Sequence, residues 1–251
     1  MTKIAIVTGA SRGLGRNTAL SIARHGDDVI LTYQRREEDA HAVVAEITAM
    51  GRTAVALRLD VGKVDSFAPF ADRLRTALRE TWQRETFDHL VNNAGHGVYA
   101  AIDQTTEAQF DELVNVHFKG VYFLTQTLLP LMAHGGRIVN VSSGLTRMSL
   151  PGYSAYAAMK GAVEVLTRYM AKELGARGIA VNTVAPGAIE TDFGGGAVRD
   201  QPAINKQIAD MTALGRVGLA DDIGPMIASL LSQDNRWVNA QRIEVSGGQG
   251  I

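Results

Sequence analysis

The segment Thr8-Gly9-Ala10-Ser11-Arg12-Gly13-Leu14-Gly15 constrains the fold of this 251-residue chain more than any other. It joins an Ile/Val-rich run, residues 3–8, to a stretch with helical spacing, residues 13–25, in which Leu14, Ala19, Ile22 and Ala23 fall on one side. A short unbroken apolar run reads as a strand buried on both faces. Glycine lets the chain turn sharply out of that strand and lets a ligand approach the backbone with no Cβ in the way. The helix that follows offers unpaired N–H groups and the positive end of its dipole to a pyrophosphate. The spacing is G-x-x-x-G-x-G rather than G-x-G-x-x-G, so the strand–turn–helix context carries the reading. Without a ligand the same segment is a tight turn.

Strand and helix patterns then alternate to the C-terminus. Further strands are expected at 29–33, 53–59, 87–91, 137–141, 179–184 and 242–245. Helices are expected at 37–50, 65–79, 106–132 (one or two), 153–174 and 222–231. Such alternation predicts a parallel sheet covered on both faces, in a single domain of residues 1–251. Residues 190–217 break the rhythm with Gly194, Gly195 and Gly196 and no clear strand. An insertion that long in a compact domain is expected to be a functional lid.

Composition narrows the function. With 25 Lys+Arg against 26 Asp+Glu, the chain has no broad charge for nucleic acid or an anionic membrane. The absence of Cys excludes disulfides, thiolate metal sites and thiol catalysis. The six His show no H-E-x-x-H spacing, so no metal is expected. Ser142-Ser143-Gly144 is not a G-x-S-x-G elbow, which argues against a hydrolase. The N-terminus has no signal-peptide core, and the longest apolar stretch, 121–133, is broken by Thr125, Gln126, Thr127 and Pro130. A soluble, cytoplasmic protein is expected.

Two further features speak to chemistry. An acid at the end of the second strand would bind the ribose 2′-OH of NAD, whereas Arg accommodates a 2′-phosphate. Here the sequence is Thr32-Tyr33-Gln34-Arg35-Arg36, and Arg12 adds a cation in the glycine turn, which favours NADP(H) over NAD(H). Tyr156 and Lys160 stand at i and i+4, neighbours on one helix face. A nearby ammonium can lower the phenol pKa enough for proton exchange with an alcohol or carbonyl oxygen. The same spacing also occurs in ordinary surface pairs.

Together these motifs resemble the short-chain dehydrogenase/reductase family over essentially the whole chain. Its motifs appear in order: the Thr8–Gly15 turn, Asp60-Val61, Asn92-Asn93-Ala94-Gly95, Ser143, Tyr156 with Lys160, Pro186-Gly187 and Gly247-Gly248. The chain is most similar to the 3-oxoacyl-acyl-carrier-protein reductase-like, NADP(H)-dependent branch. The resemblance implies a Rossmann-type doubly wound α/β fold, three layers with seven parallel strands, and a homotetramer. It implies that Tyr156 is the general acid/base, that Lys160 lowers its pKa and holds the nicotinamide ribose, and that both Tyr156 and Lys160 meet the cofactor. Ser143 would hydrogen-bond the substrate oxygen, with Ser142 pointing the other way. The glycine turn, with Gly9, Ser11, Arg12, Gly13, Leu14 and Gly15, would hold the cofactor together with Arg35. Asp60 and Val61 would meet adenine, and Asn92, Ala94 and Gly95 the adenosine side. Pro186, Gly187, Ile189 and Thr191 would meet the nicotinamide end.

One position departs from the pattern. The family has an Asn whose side chain locally bends the helix before strand five, where a bound water links it to the Lys. Val114-Asn115-Val116-His117-Phe118-Lys119-Gly120 matches that stretch. Helix register places His117 at the Asn position; counting back from Ser143 favours Asn115. The expectation is that His117 takes the Asn's place in the relay. His96, Leu145, Tyr153 and Phe193 would shape the substrate pocket. Arg147 reads either as a partner for an acidic substrate group or as a surface residue. The leading function is hydride transfer between NADP(H) and a carbonyl/alcohol pair. The alternatives are a specific 3-oxoacyl-carrier-protein reductase and a non-catalytic NADP(H) sensor or scaffold.

Overall fold

Four consecutive buried residues, Ile4, Ala5, Ile6 and Val7, form β1 (Ile4–Val7) in the interior of the sheet. A strand covered on both faces has no solvent side, so its sequence is apolar throughout. In the computed structural model, which describes residues 2–251, six more strands follow: β2 Asp28–Tyr33, β3 Ala54–Arg58, β4 Phe87–Asn92, β5 Met132–Val141, β6 Ala180–Pro186 and β7 Arg242–Val245. All pair in parallel, in the order β3-β2-β1-β4-β5-β6-β7. The chain builds outward in one direction to β3, then returns to place β4 on the other side of β1. That reversal opens a crevice beyond the C-terminal ends of β1 and β4, where open α/β sheets bind ligands.

The helices are α1 Gly13–Arg24, α2 Glu37–Ala49, α3 Phe67–Trp82, α4 Glu107–Val114, α5 Gly120–Leu128, α6 Ser154–Leu174, α7 Ala197–Asp200, α8 Pro202–Asp210 and α9 Ala220–Leu231. Alternate strand residues meet different layers. Ala5, Val7, Val29 and Leu31 join a core with Ile22 of α1, Val43 and Ile47 of α2, and Ile223 and Ile227 of α9. Ile4, Ile6, Ile30 and Leu90 join the other, with Phe70 and Leu74 of α3, Leu124 of α5 and Met170 of α6. The sheet is covered on both faces, as the alternating pattern predicts, in the three-layer, doubly wound arrangement that the resemblance implies.

Several boundaries differ from the expected ones. The helix expected at 65–79 runs over Phe67–Trp82. The helical stretch expected at 106–132 is two helices around a π turn, Asn115–Lys119, and it ends at Leu128. Pro130, which cannot donate to a continuing helix, sits in the short turn Leu129–Leu131, and β5 begins at Met132 rather than at 137. Within 190–217 the chain forms α7 and α8 after a turn in which Gly194, Gly195 and Gly196 all have positive φ.

Candidate active site

The glycine turn sits at the crevice and is bolted to both neighbouring strands. Gly9 N–H donates to the Thr32 hydroxyl (3.2 Å) and Ala10 N–H to the Thr32 carbonyl (2.9 Å). On the β4 side, Asn93 Nδ2 donates to the Thr8 carbonyl (2.9 Å), and Asn93 and Ala94 N–H both donate to the Thr8 hydroxyl (3.0 Å). Gly9 has φ +64°, which glycine adopts without strain. A Cβ on Gly15 would come within 2.5 Å of Asn93 Nδ2 and 2.9 Å of Ala10 Cα, so helix and turn touch only because it is absent. No side chain caps the N-terminus of α1 and no acid lies in its first turn, leaving its N–H groups for an anion. This cradle fits a pyrophosphate.

The other expected cofactor residues are divided between backbone and side-chain roles. Asn92 turns its side chain inward, to Asn140 (2.8 Å) and Thr125 (3.2 Å), so Asn93 is the one that ties the two turns together. Asp60 accepts from Gly62 N–H (3.0 Å) beside Val61. Arg35 is exposed at the end of β2 and has no ion-pair partner among the described residues, whereas Arg36 pairs with Asp39. Arg12 is half-exposed and pairs with Asp192 (2.9 Å), which also pairs with Arg199 (2.6 Å). The glycine turn is thereby linked to the segment after β6. There Gly187 and Ala188 meet the side chain of Gln249, whose oxygen accepts from Ala188 N–H (2.9 Å), and a Cβ on Gly13 would touch Thr191. Ile189 forms a bridge with Gly218.

Ser143, Tyr156, Lys160 and His117 converge beyond the end of β5, all of them buried. Tyr156 and Lys160 lie on one face of α6. Lys160 Nζ donates to the Val141 carbonyl (2.8 Å) and stands 5.6 Å from the Tyr156 ring centre. Burial lowers the Lys160 pKa to about 8. Burial also pushes the Tyr156 phenol above its ordinary value, with the Ser143 hydroxyl pulling it part-way back. The Lys160 ammonium, which the resemblance assigns to lowering that pKa, donates here to a backbone carbonyl. The phenol is therefore held protonated at neutral pH. Ser142 points away, as strand alternation requires, and donates to Glu164 (2.7 Å).

His117 occupies the middle of the π turn, so the local bend lies where the resemblance places it. Its ring packs edge-on against Tyr156 at 5.1 Å between centres. Nε2 lies 2.7 Å from the His96 carbonyl, which can only accept, so Nε2 carries the hydrogen. Nδ1 is then an acceptor, buried and without a protein partner. Burial first, and the Lys160 charge second, hold His117 neutral well below the usual His range. Gly95 explains itself here: a Cβ would meet His117 Cε1 at 2.5 Å. The sequence assigned that glycine to the cofactor; its first neighbour is the histidine.

His117 and Phe193 flank the Tyr156 ring. Phe193 lies 5.6 Å from the Tyr156 ring and covers Gly97, while Tyr99 and Tyr153 meet edge-on at 5.4 Å. Leu145 lies in the short turn Gly144–Thr146, its N–H bonded to the Ser143 hydroxyl (3.2 Å). His96 reaches Glu112 at 3.5 Å. Arg147 is bound to Glu244 and to the Gln249 and Gly250 carbonyls, so its charge is already engaged. Sequence reasoning missed Asn93, Tyr99 and Glu164. Asn93 alone carried a signal, its place inside the Asn92–Gly95 motif.

Known proteins match this architecture along its length. A family model described as Enoyl-(Acyl carrier protein) reductase matches residues 9–249. A hydroxynaphthalene reductase-like protein of Metarhizium robertsii is 37% identical, the match covering 98% of this chain and 94% of the relative. The solved structure of the reductase LugOII, described as catalysing keto-reduction at C1 during lugdunomycin biosynthesis, superposes with a TM-score of 0.94 at 39% identity, covering 99% of this chain and 98% of that one. The landomycin C-6 ketoreductase LanV, solved with NADP and rabelomycin, gives a TM-score of 0.89 at 34% identity, covering 98% and 95%.

Proposed function

The chain belongs to the short-chain dehydrogenase/reductase family, and on that premise we propose that it is an NADP(H)-dependent reductase of flat aromatic ketones, with Tyr156 delivering the proton. The observation that carries this is the convergence of Ser143, Tyr156, Lys160 and His117 beside the glycine turn. When bound, NADP(H) supplies the hydride, and the protein supplies position and protons. The N-terminus of α1 and the turn Gly9–Gly15 hold the pyrophosphate, and Asp60, Val61 and Ala94 border the adenosine half. Arg35, with no ion-pair partner among the described residues, takes the 2′-phosphate; Arg12 joins it by exchanging Asp192 for that phosphate. Pro186, Gly187, Ile189 and Thr191 border the nicotinamide end.

At the reacting carbonyl, the Ser143 hydroxyl hydrogen-bonds the oxygen and fixes its position. Tyr156, kept protonated by burial, is in the right state to donate to that oxygen as negative charge develops there. The phenolate left on Tyr156 regains its proton from the Lys160 ammonium, which is reprotonated from solvent; His117 Nδ1, buried without a protein partner, is placed to accept a hydrogen bond from a water on that path. The aromatic ring of Phe193, with Tyr99 and Tyr153, suits a flat ring system by stacking. The Metarhizium protein is named hydroxynaphthalene reductase-like, after a fused-ring aromatic, and LanV is described as a ketoreductase with rabelomycin bound. The cations of residues 190–217 are all ion-paired, Arg199 with Asp192 and Asp200, Lys206 with Asp210 and Arg216 with Asp222, which argues against an acidic carrier protein docking on that segment. Exposed Phe110, Tyr122, Val165 and Tyr169 on α4, α5 and α6 suit burial against a second copy in a homotetramer.

The test is NADPH consumption over a panel of fused-ring aromatic ketones, small aliphatic ketones and 3-oxoacyl thioesters. Aromatic ketones are expected to turn over fastest. Preference for 3-oxoacyl thioesters would move the chain to fatty-acid chemistry. No turnover at all with tight NADPH binding would make it a sensor.

A further inference from the structure

A largely buried carboxylate outside the reacting groups organises the corner that presents Ser143. Glu164 lies on α6 one turn beyond Lys160 and two beyond Tyr156. Its Oε1 accepts from the Ser142 hydroxyl (2.7 Å), the Thr146 hydroxyl (2.8 Å) and Arg242 Nε (2.8 Å). The first two donors bracket Ser143 in the chain. The Thr146 hydroxyl also lies 3.0 Å from the Ser143 carbonyl. Lys160 holds the residue before Ser142 through the Val141 carbonyl. So α6 grips the end of β5 at two successive residues, and grips the far side of the turn through Thr146.

Arg242 carries the hold across to β7. It pairs with Glu244 (3.0 Å) as well as with Glu164, and Glu244 is gripped by Arg147 (2.5 Å) from the same Ser143 turn. Arg147 donates to the Gln249 carbonyl (2.6 Å), and the Gln249 side chain accepts from Ala188 N–H. One connected set of charges therefore ties the turn after β5 to the turn after β6. Glu164 is its only member on the helix that carries Tyr156 and Lys160. Its side chain is 14% exposed, so these hydrogen bonds are poorly screened.

We infer that Glu164 is a positioning residue: it fixes the Ser143 hydroxyl relative to Tyr156 by clamping Ser142 and Thr146 to α6. The inference rests on the reading of Ser143 as the group that hydrogen-bonds the substrate oxygen. Glu164 touches none of the reacting groups and acts through the turn. Replacing it leaves Arg242 with Glu244, so no buried cation is stranded.

Hydrogen exchange across residues 142–148 of the full chain reads the clamp without any turnover. Glu164→Ala is expected to raise exchange there about tenfold, the effect of losing one hydrogen bond's worth of local stability, with β4 unchanged. Glu164→Gln keeps a carbonyl oxygen in place and is expected to restore most of the protection. Unchanged exchange in Glu164→Ala overturns the inference. A double-mutant cycle supplies the second readout. Glu164→Ala is expected to lower kcat in the wild-type background and to add nothing in the Ser143→Ala background, with NADPH affinity unchanged in both. Multiplicative losses in the double variant would mean that Glu164 does not act through Ser143. Should Glu164→Ala fail to fold, Ser142→Ala releases the strand side of the same clamp and is read in the same way. A wild-type chain inert toward every ketone would sink the functional reading alone, since the exchange result still decides the role of Glu164.

Discussion

The turn after β1 and the corner after β5 stand at the same end of the sheet and are built by opposite means. The first uses backbone: three glycines, two strand-side hydroxyls and an uncapped helix, with no side chain offering an acid or base. The second uses buried side chains: a phenol, an ammonium and a neutral imidazole, whose protonation is set by burial and neighbours, and a clamped serine. A cofactor that carries its own chemistry needs only shape and a positive dipole from the protein. A carbonyl oxygen that gains charge during reaction needs donors already in place, because reorganising them would cost part of the barrier.

That contrast predicts different damage in the two places. Gly15→Ala should be the most severe change at the turn. Its Cβ meets backbone of the turn and Asn93, none of which can yield without opening the strand–helix junction. Overpacking of this kind costs about 1–3 kcal/mol. The expected outcome is a lower Tm together with at least about tenfold weaker NADPH binding, since each 1.4 kcal/mol transmitted to the cradle is tenfold. Undiminished affinity in a thermal melt and fluorescence titration would show that the turn does not hold the cofactor.

His117→Ala should be milder and should fall on turnover alone. Removing an acceptor worth about 1.4 kcal/mol is expected to lower kcat about tenfold while leaving NADPH affinity where it was. His117→Asn, restoring the residue that the family carries there, should recover much of the rate. Because His117 is held neutral well below 6.5, the rate should not follow a proton on it as pH falls through that value. A kcat profile that bends there, and straightens in the Asn variant, would assign His117 a charged role instead.

The same contrast explains what could be read from the sequence. A glycine turn demands one residue type at fixed spacing within eight residues, so Gly9, Gly13 and Gly15 declare themselves locally. Tyr156 and Lys160 are legible for the same reason, one helical turn apart. The clamp on Ser143 is not legible: Arg242 and Glu164 are 78 residues apart and Arg147 and Glu244 are 97 apart, and each alone is an ordinary charged residue. The state of His117 was equally hidden, because it depends on a backbone carbonyl 21 residues away and on how deeply the π turn carries the ring inward. The end of α5 was misplaced because its apolar spacing continues past Leu128, and Pro130 fits a last turn as well as a break.

Division of labour between the two corners is tested most directly by one variant and two measurements. Tyr156→Phe keeps the ring against His117 and Phe193 and removes only the phenolic proton. NADPH binding should match the wild type within about twofold, while single-turnover NADPH oxidation with an aromatic ketone should slow by about a hundredfold to ten-thousandfold, the usual worth of a positioned general acid. Wild-type turnover in Tyr156→Phe would contradict the account, because the proton would then come from elsewhere, and so would loss of NADPH binding, because the corner after β5 would then hold the cofactor as well.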